Sequence, residues 1–104
     1  MKENWMERFI NEAVPLLRQD FQPELILLFG SYAKGSASED SDLDIILVSH
    51  FFENMRFIER MSFVSKKVRF PRHVDYLCYT PEEFQRIQGN SIIVREAVRE
   101  GIPL

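Results

Sequence analysis

Asp42 and Asp44 stand two residues apart in Ser41-Asp42-Leu43-Asp44, at the mouth of the apolar run Leu43 to Ser49. If a strand begins near Asp42, both side chains lie on one face, because side chains alternate along a strand. Two carboxylates that close repel, and burying them unpaired would cost on the order of several kcal/mol or shift a pKa strongly. Either both stay solvated or something positive sits between them. A divalent cation suits: Mg²⁺ takes carboxylate oxygens together with waters and substrate phosphates. A third acid, Asp75, sits between Val74 and Tyr76 in His73-Val-Asp-Tyr-Leu-Cys-Tyr-Thr80, a run of strand-forming residues in which Asp is unusual. If the two runs pair, Asp75 faces the same ion. Three carboxylates around one or two metals suit phosphoryl or nucleotidyl transfer, with one of them able to take a proton from the attacking hydroxyl.

The segment Phe29-Gly-Ser-Tyr-Ala-Lys-Gly-Ser36 adds a second part. Gly30 lets the backbone come close to a ligand, since it has no side chain. Ser31 offers a hydroxyl at the start of a short helix whose free N–H groups would face a phosphate. Gly35 turns the loop back toward the aspartates.

These parts need a scaffold. Trp5, Phe9, Ile10, Ala13, Leu16 and Leu17 recur at helical spacing over residues 4–19, with Pro15 set to kink or split the helix. Glu24 to Gly30 and Leu43 to Ser49 read as buried strands, and residues 53–66 as a helix. His73 to Thr80 reads as a strand. Thr80-Pro-Glu-Glu opens a helix that runs to Gln88, and Ser91 caps a last one that Gly101 ends. Ile102 to Leu104 is a candidate terminal strand. The expected fold is a single α/β (α+β) domain over residues 1–104, a small mixed sheet with helices packed mainly on one face.

The composition narrows the function. The 104 residues carry 13 Lys and Arg against 16 Asp and Glu, a formal net charge of −3. That is too mild for a general nucleic-acid surface, so nucleic acid is not an expected partner. A small anionic ligand can still be held by backbone amides and a metal. One cysteine, Cys78, makes an internal disulfide or a cysteine zinc cage impossible. No apolar stretch is long enough to cross a bilayer, and Met1 to Phe9 lacks a leader's apolar region. A cytoplasmic protein is expected.

The joint pattern of Gly30-Ser31, Gly35 and Ser41-Asp42-Leu43-Asp44 resembles the signature of the polymerase-β-like nucleotidyltransferase superfamily. The short chain is similar to its minimal nucleotidyltransferase group, in which members act as antitoxins beside a HEPN-domain partner. The resemblance is firm over the motif and extends from about Glu24 to Tyr79 in order of elements. It implies that Asp42, Asp44 and Asp75 are catalytic and bind Mg²⁺. It also implies that Gly30, Ser31, Lys34 and Ser41 hold the nucleotide, ATP. Better-studied members often carry an arginine in the short helix; here Tyr32 and Lys34 stand there, and lysine offers a point charge rather than a fork. The implied reaction is transfer of AMP from ATP to a hydroxyl, a tyrosine, of the HEPN toxin.

A second function class is a non-catalytic module that masks its partner stoichiometrically. A homodimer or hetero-oligomer would complete a site that a chain this short leaves open. Other residues have plainer readings. His50 and His73 each lack a partner at ligand spacing and read as structural or surface. Cys78 reads as a small buried hydrophobe. Asp75 has an alternative as an ion-pair partner of Arg69 or Arg72. Ser36, Ser38 and Ser41 suit a polar loop, and the phenylalanines 51, 52, 57, 63 and 70 suit a core or an interface. Lys66 and Lys67 suit a solvated helix face.

Overall fold

A computed structural model describes residues 4–104; the first three residues of the expected leaderless start lie outside it. A four-stranded sheet has the order β3-β2-β1-β4, with β1 Leu25–Phe29, β2 Leu43–Val48, β3 Val74–Tyr79 and β4 Ile102–Pro103. β1 runs antiparallel to β2 and to β4, whereas β2 and β3 are parallel. The mixed α/β sheet expected from the sequence is therefore present. The apolar runs Leu25–Phe29 and Leu43–Val48 are near-continuous because β1 and β2 are the two central strands, with side chains buried on both faces. β3 alternates between buried and half-buried positions, as befits a strand at the sheet edge.

The N-terminal helical stretch has three parts: α1 (Trp5–Arg8), a π-helical turn (Phe9–Ala13) and α2 (Val14–Phe21). Pro15 lacks an N–H and its ring would strike the carbonyl one turn back. The chain widens just before it, with the Val14 N–H reaching the carbonyl of Phe9, five residues back. Pro15 then falls in the first turn of α2, where its missing donor costs little. The expected split is thus a π-turn. Phe9, Ala13, Leu17 and Phe21 are buried from this stretch, together with Val64 of α4 (Phe57–Lys67), against Ile26, Leu28, Ile45, Leu47, Tyr76 and Cys78 of the sheet. Burying a side chain of this size fully contributes about 1.5–3 kcal/mol.

α4 begins four residues later than the sequence spacing suggests, because His50–Phe52 forms a 3₁₀ turn whose Ser49 side chain accepts from the Phe51 N–H. α5 (Pro81–Gln88) opens with a complete capping box: Thr80 accepts from the Glu83 N–H, and the Glu83 carboxylate accepts from the Thr80 N–H. α6 (Ile92–Glu100) is capped by Ser91. Ala97 of α6 and Phe84 of α5 pack on the opposite sheet face, against Leu27, Ile46 and Val48. This second layer is the smaller of the two. It leaves the heads of β2 and β3 uncovered on that face, where alternation places Asp44 and Asp75.

Candidate functional site

Register brings the acids together. Asp44 of β2 and Asp75 of β3 are direct partners on adjacent parallel strands, which lie about 4.8 Å apart. Asp44 also pairs with Phe29, the last residue of β1, so Gly30 follows at the same end of the sheet. The β1–β2 hairpin and the parallel β2–β3 pair thus deliver Gly30, Asp44 and Asp75 to one edge. Asp42 precedes β2 and is exposed. One ligand atom each from Asp42, His73 and Asp75 lie within 4.8 Å of one another. His73 Nε2 is 2.8 Å from Asp75 Oδ1.

Asp44 takes the inner position. It is half-buried, and desolvation holds its carboxyl above the ordinary value, with the charges of Asp75 and Asp42 adding to the effect and His73 opposing it. Its neighbour is Gly30, with φ +74° and a backbone so close that a Cβ there would sit 2.3 Å from Asp44 Oδ2. Glycine is required at this point on both counts.

The carboxylates of Asp42 and Asp75 and the imidazole of His73 form a group that could hold a divalent cation, and Asp44 stands beside Asp75 in register but outside that group. Among the described residues no arginine or lysine is placed between these acids to neutralise them. His73 reads from the sequence as a structural or surface histidine, and it is exposed; the structure adds that it stands two residues before Asp75, a spacing that puts both on one side of an extended chain. Its ring is pulled toward the protonated form, first by the Asp75 hydrogen bond and then by the charges of Asp75, Asp42 and Asp44, while burial opposes. The polar partner of Asp75 is this histidine. Arg72 instead donates to the carbonyls of Glu39 and Ser41 and lies over the Trp5 ring.

The other expected residues divide. Ser31 is the first residue of α3 (Ser31–Lys34), and Gly35, with φ +75°, ends it. The Lys34 ammonium is 3.6 Å from Glu100 of α6. Ser41 Oγ accepts from the Ser38 N–H at 2.9 Å and closes the turn that leads into Asp42. His50, by contrast, lies beside Glu53 and Glu24, away from this edge. Cys78 is buried, as expected, and its thiol is pushed up to about 12 by desolvation.

The chain is similar to known proteins. The family model described as "Nucleotidyltransferase domain" matches residues 10–100, and the chain belongs to that family. Two proteins of Methanocaldococcus jannaschii, each named "putative protein adenylyltransferase", are similar over part of their length. MJ0604 is 43% identical over 44 residues, which are 40% of this chain and 44% of that protein. MJ1305 is 37% identical over 51 residues, 47% of this chain and 35% of that protein. The matched stretch therefore spans less than half of either relative. A crystal structure titled a "putative nucleotidyltransferase" from Sulfolobus solfataricus superposes with a TM-score of 0.60 at 24% identity, over 99% of this chain and 87% of the other, and bears on the fold alone. Among the described residues, no helix is long and apolar enough to cross a membrane.

Proposed function

We propose that the domain transfers AMP from ATP to a hydroxyl, a tyrosine, of a partner protein, and that a HEPN-domain toxin is that partner. In this reading the domain acts as an antitoxin. The observation that carries the reading is the meeting of Asp44 and Asp75 in register at one sheet edge, with Asp42 beside them and Gly30 against Asp44. The similarity to proteins named for protein adenylylation supports the choice of acceptor.

Asp42, Asp44 and Asp75 would hold magnesium. When bound, the metal supplies charge neutralisation for the phosphates and a lowered pKa for the acceptor hydroxyl. Gly30 and Ser31 would hold the β- and γ-phosphates, with Lys34 and Ser41 at the rim. The acceptor oxygen attacks the α-phosphorus, the bond to the α–β bridging oxygen breaks, and pyrophosphate leaves. Asp75 accepts the hydroxyl proton. Positioning and charge stabilisation carry most of the rate in such transfers.

The test is direct. The protein is incubated with a HEPN-domain partner, ATP and Mg²⁺, and the partner is weighed. A gain of about 329 Da per modified hydroxyl is the mass of the AMP residue left by covalent transfer. Asp42→Asn and Asp44→Asn should each abolish it. A partner that is inhibited with no change in mass would overturn the transfer and favour stoichiometric masking.

A further inference from the structure

The overall charge of −3 conceals a local opposite. Between Glu59 and Asp75 the chain has no acidic residue, yet it carries Arg60, Lys66, Lys67, Arg69, Arg72 and His73. Arg60 is neutralised by Glu83. Elsewhere Arg8, Arg56 and Arg99 also face carboxylates. Arg69 and Arg72 do not: among the described residues their hydrogen bonds go to carbonyls, Arg69 Nε to Lys66 and Arg72 Nη2 to Glu39 and Ser41.

Arg69 and Arg72 both line one cavity of about 360 Å³ between the end of α4 and the start of β3, with Ser65, His73 and Tyr76 among its walls. Tyr76 is 3% exposed, and its hydroxyl has no hydrogen-bond partner among the described residues. Buried hydroxyls are normally satisfied by protein or water. The cavity adjoins the edge strand β3, whereas Gly30 follows β1 on the other side of β2, and His73 is common to the cavity wall and the acid cluster. Two unneutralised cations sharing a cavity repel each other, and an anion placed between them removes that repulsion. Arginine forks suit carboxylate and phosphate alike. With Arg69 Nε, Arg72 Nη2 and His73 Nε2 already engaged, the remaining nitrogens of the two guanidiniums and the Ser65 hydroxyl are still more donors than the two oxygens of one carboxylate can use. A phosphate group, with three or four oxygens, uses them better.

We propose that this cavity is a phosphate-binding site, separate from the nucleotide position at Gly30 and Ser31. The phosphate is free inorganic anion or part of a nucleic-acid backbone. The site does not depend on the transfer reaction, so either can fail without the other.

The experiment is an NMR and calorimetric titration of the metal-free full chain with inorganic phosphate, a short single-stranded RNA without terminal phosphate, and hexaglutamate. Phosphate should perturb amides of residues 65–76, and Arg69→Ala should weaken it about tenfold or more, as loss of a charge-assisted fork does. Asp42→Asn should leave it intact. Arg72→Ala also removes the brace on the 39–41 turn; if that variant fails to fold, Arg69→Ala decides alone. RNA binding about tenfold tighter than phosphate, and equally sensitive to Arg69, assigns the backbone as the source. Equal or weaker RNA binding assigns the free anion. Perturbations confined to the Gly30 region, indifference to Arg69→Ala, or hexaglutamate binding as tightly as phosphate would each overturn the proposal.

Discussion

Gly30 and Asp44 are in such close approach that a methyl group on Gly30 would lie 2.3 Å from Asp44 Oδ2. The Gly30 backbone, at φ 74° and ψ −152°, is also in a region that only glycine occupies readily. Gly30→Ala therefore faces strain of about 1–3 kcal/mol, and it must also push the Asp44 carboxylate off its position. The expected result is a folded but less stable protein whose transfer activity falls by about 10² or more, the scale of an ångström-level misplacement at a reacting centre. Thermal unfolding and a transfer assay measure the two effects separately. Wild-type activity in Gly30→Ala would show that the approach has no bearing on catalysis.

Asp44 is an acid whose folded form prefers the proton. Its raised pKa means that the folded chain binds more protons than the unfolded one, just above the ordinary value of 3.8. Stability contributed by this group is then present at low pH and falls as pH rises through the interval up to the folded value. In EDTA, Asp44→Asn should be at least as stable as wild type at neutral pH, and the gap should close below about pH 4. Magnesium should reverse the order by binding the folded wild type, adding about 2.7 kcal/mol at a hundredfold excess over Kd. Melting curves across pH with and without metal test this. A wild type that stays more stable than the variant in EDTA, or a variant that magnesium stabilises equally, would refute it.

The strands, their edge acids and the glycine were legible in the chain for a simple reason. Buried central strands need unbroken apolar runs, so the polar residues at the heads of Leu43–Val48 and Val74–Tyr79 stand out. The capping box at Thr80 and Glu83 was equally local. What escaped was set by contacts distant in sequence. His73 looked solitary because Asp42 is brought to it only by strand pairing. Lys34 looked free for a phosphate because Glu100, 66 positions on, is carried to it by α6. The π-turn was hidden because Pro15 announces a disruption without saying how the chain absorbs it. Arg60, 4% exposed inside a helix read as amphipathic, gave no local sign of being buried.

His73 reports on the acids electrically. In the metal-free chain its ring is held above the ordinary 6.5, chiefly by the Asp75 hydrogen bond. A cation shared by Asp42 and Asp75 competes for the same lone pairs and cancels their field. The His73 titration midpoint, followed by NMR, should lie above 6.5 without metal, and it should drop when magnesium is added. It should also drop in Asp75→Asn, while the His50 midpoint, governed by Glu53 and Glu24, holds still. A His73 midpoint insensitive to both magnesium and Asp75→Asn would sever the histidine from the site.

Arg60 and Glu83 tie α4 to the start of α5 beneath the site-bearing strand. Arg60 Nη1 is 2.6 Å from Glu83 Oε1 and 3.1 Å from the carbonyl of Cys78, and Nη2 is 2.8 Å from the carbonyl of Met55. Glu83→Gln keeps an acceptor for the Thr80 N–H but leaves a buried guanidinium without its counter-charge. The cost should be about 1.5–3 kcal/mol, the range for a hydrogen bond to a charged group. Arg60 holds the Glu83 carboxyl below the ordinary 4.5, so its contribution is full above that pH and disappears as pH falls through the lower, folded value. Unfolding curves of wild type and Glu83→Gln should therefore run parallel at neutral pH and converge in acid. A constant gap down to the lowest pH at which both fold would mean that the pair acts through shape rather than charge.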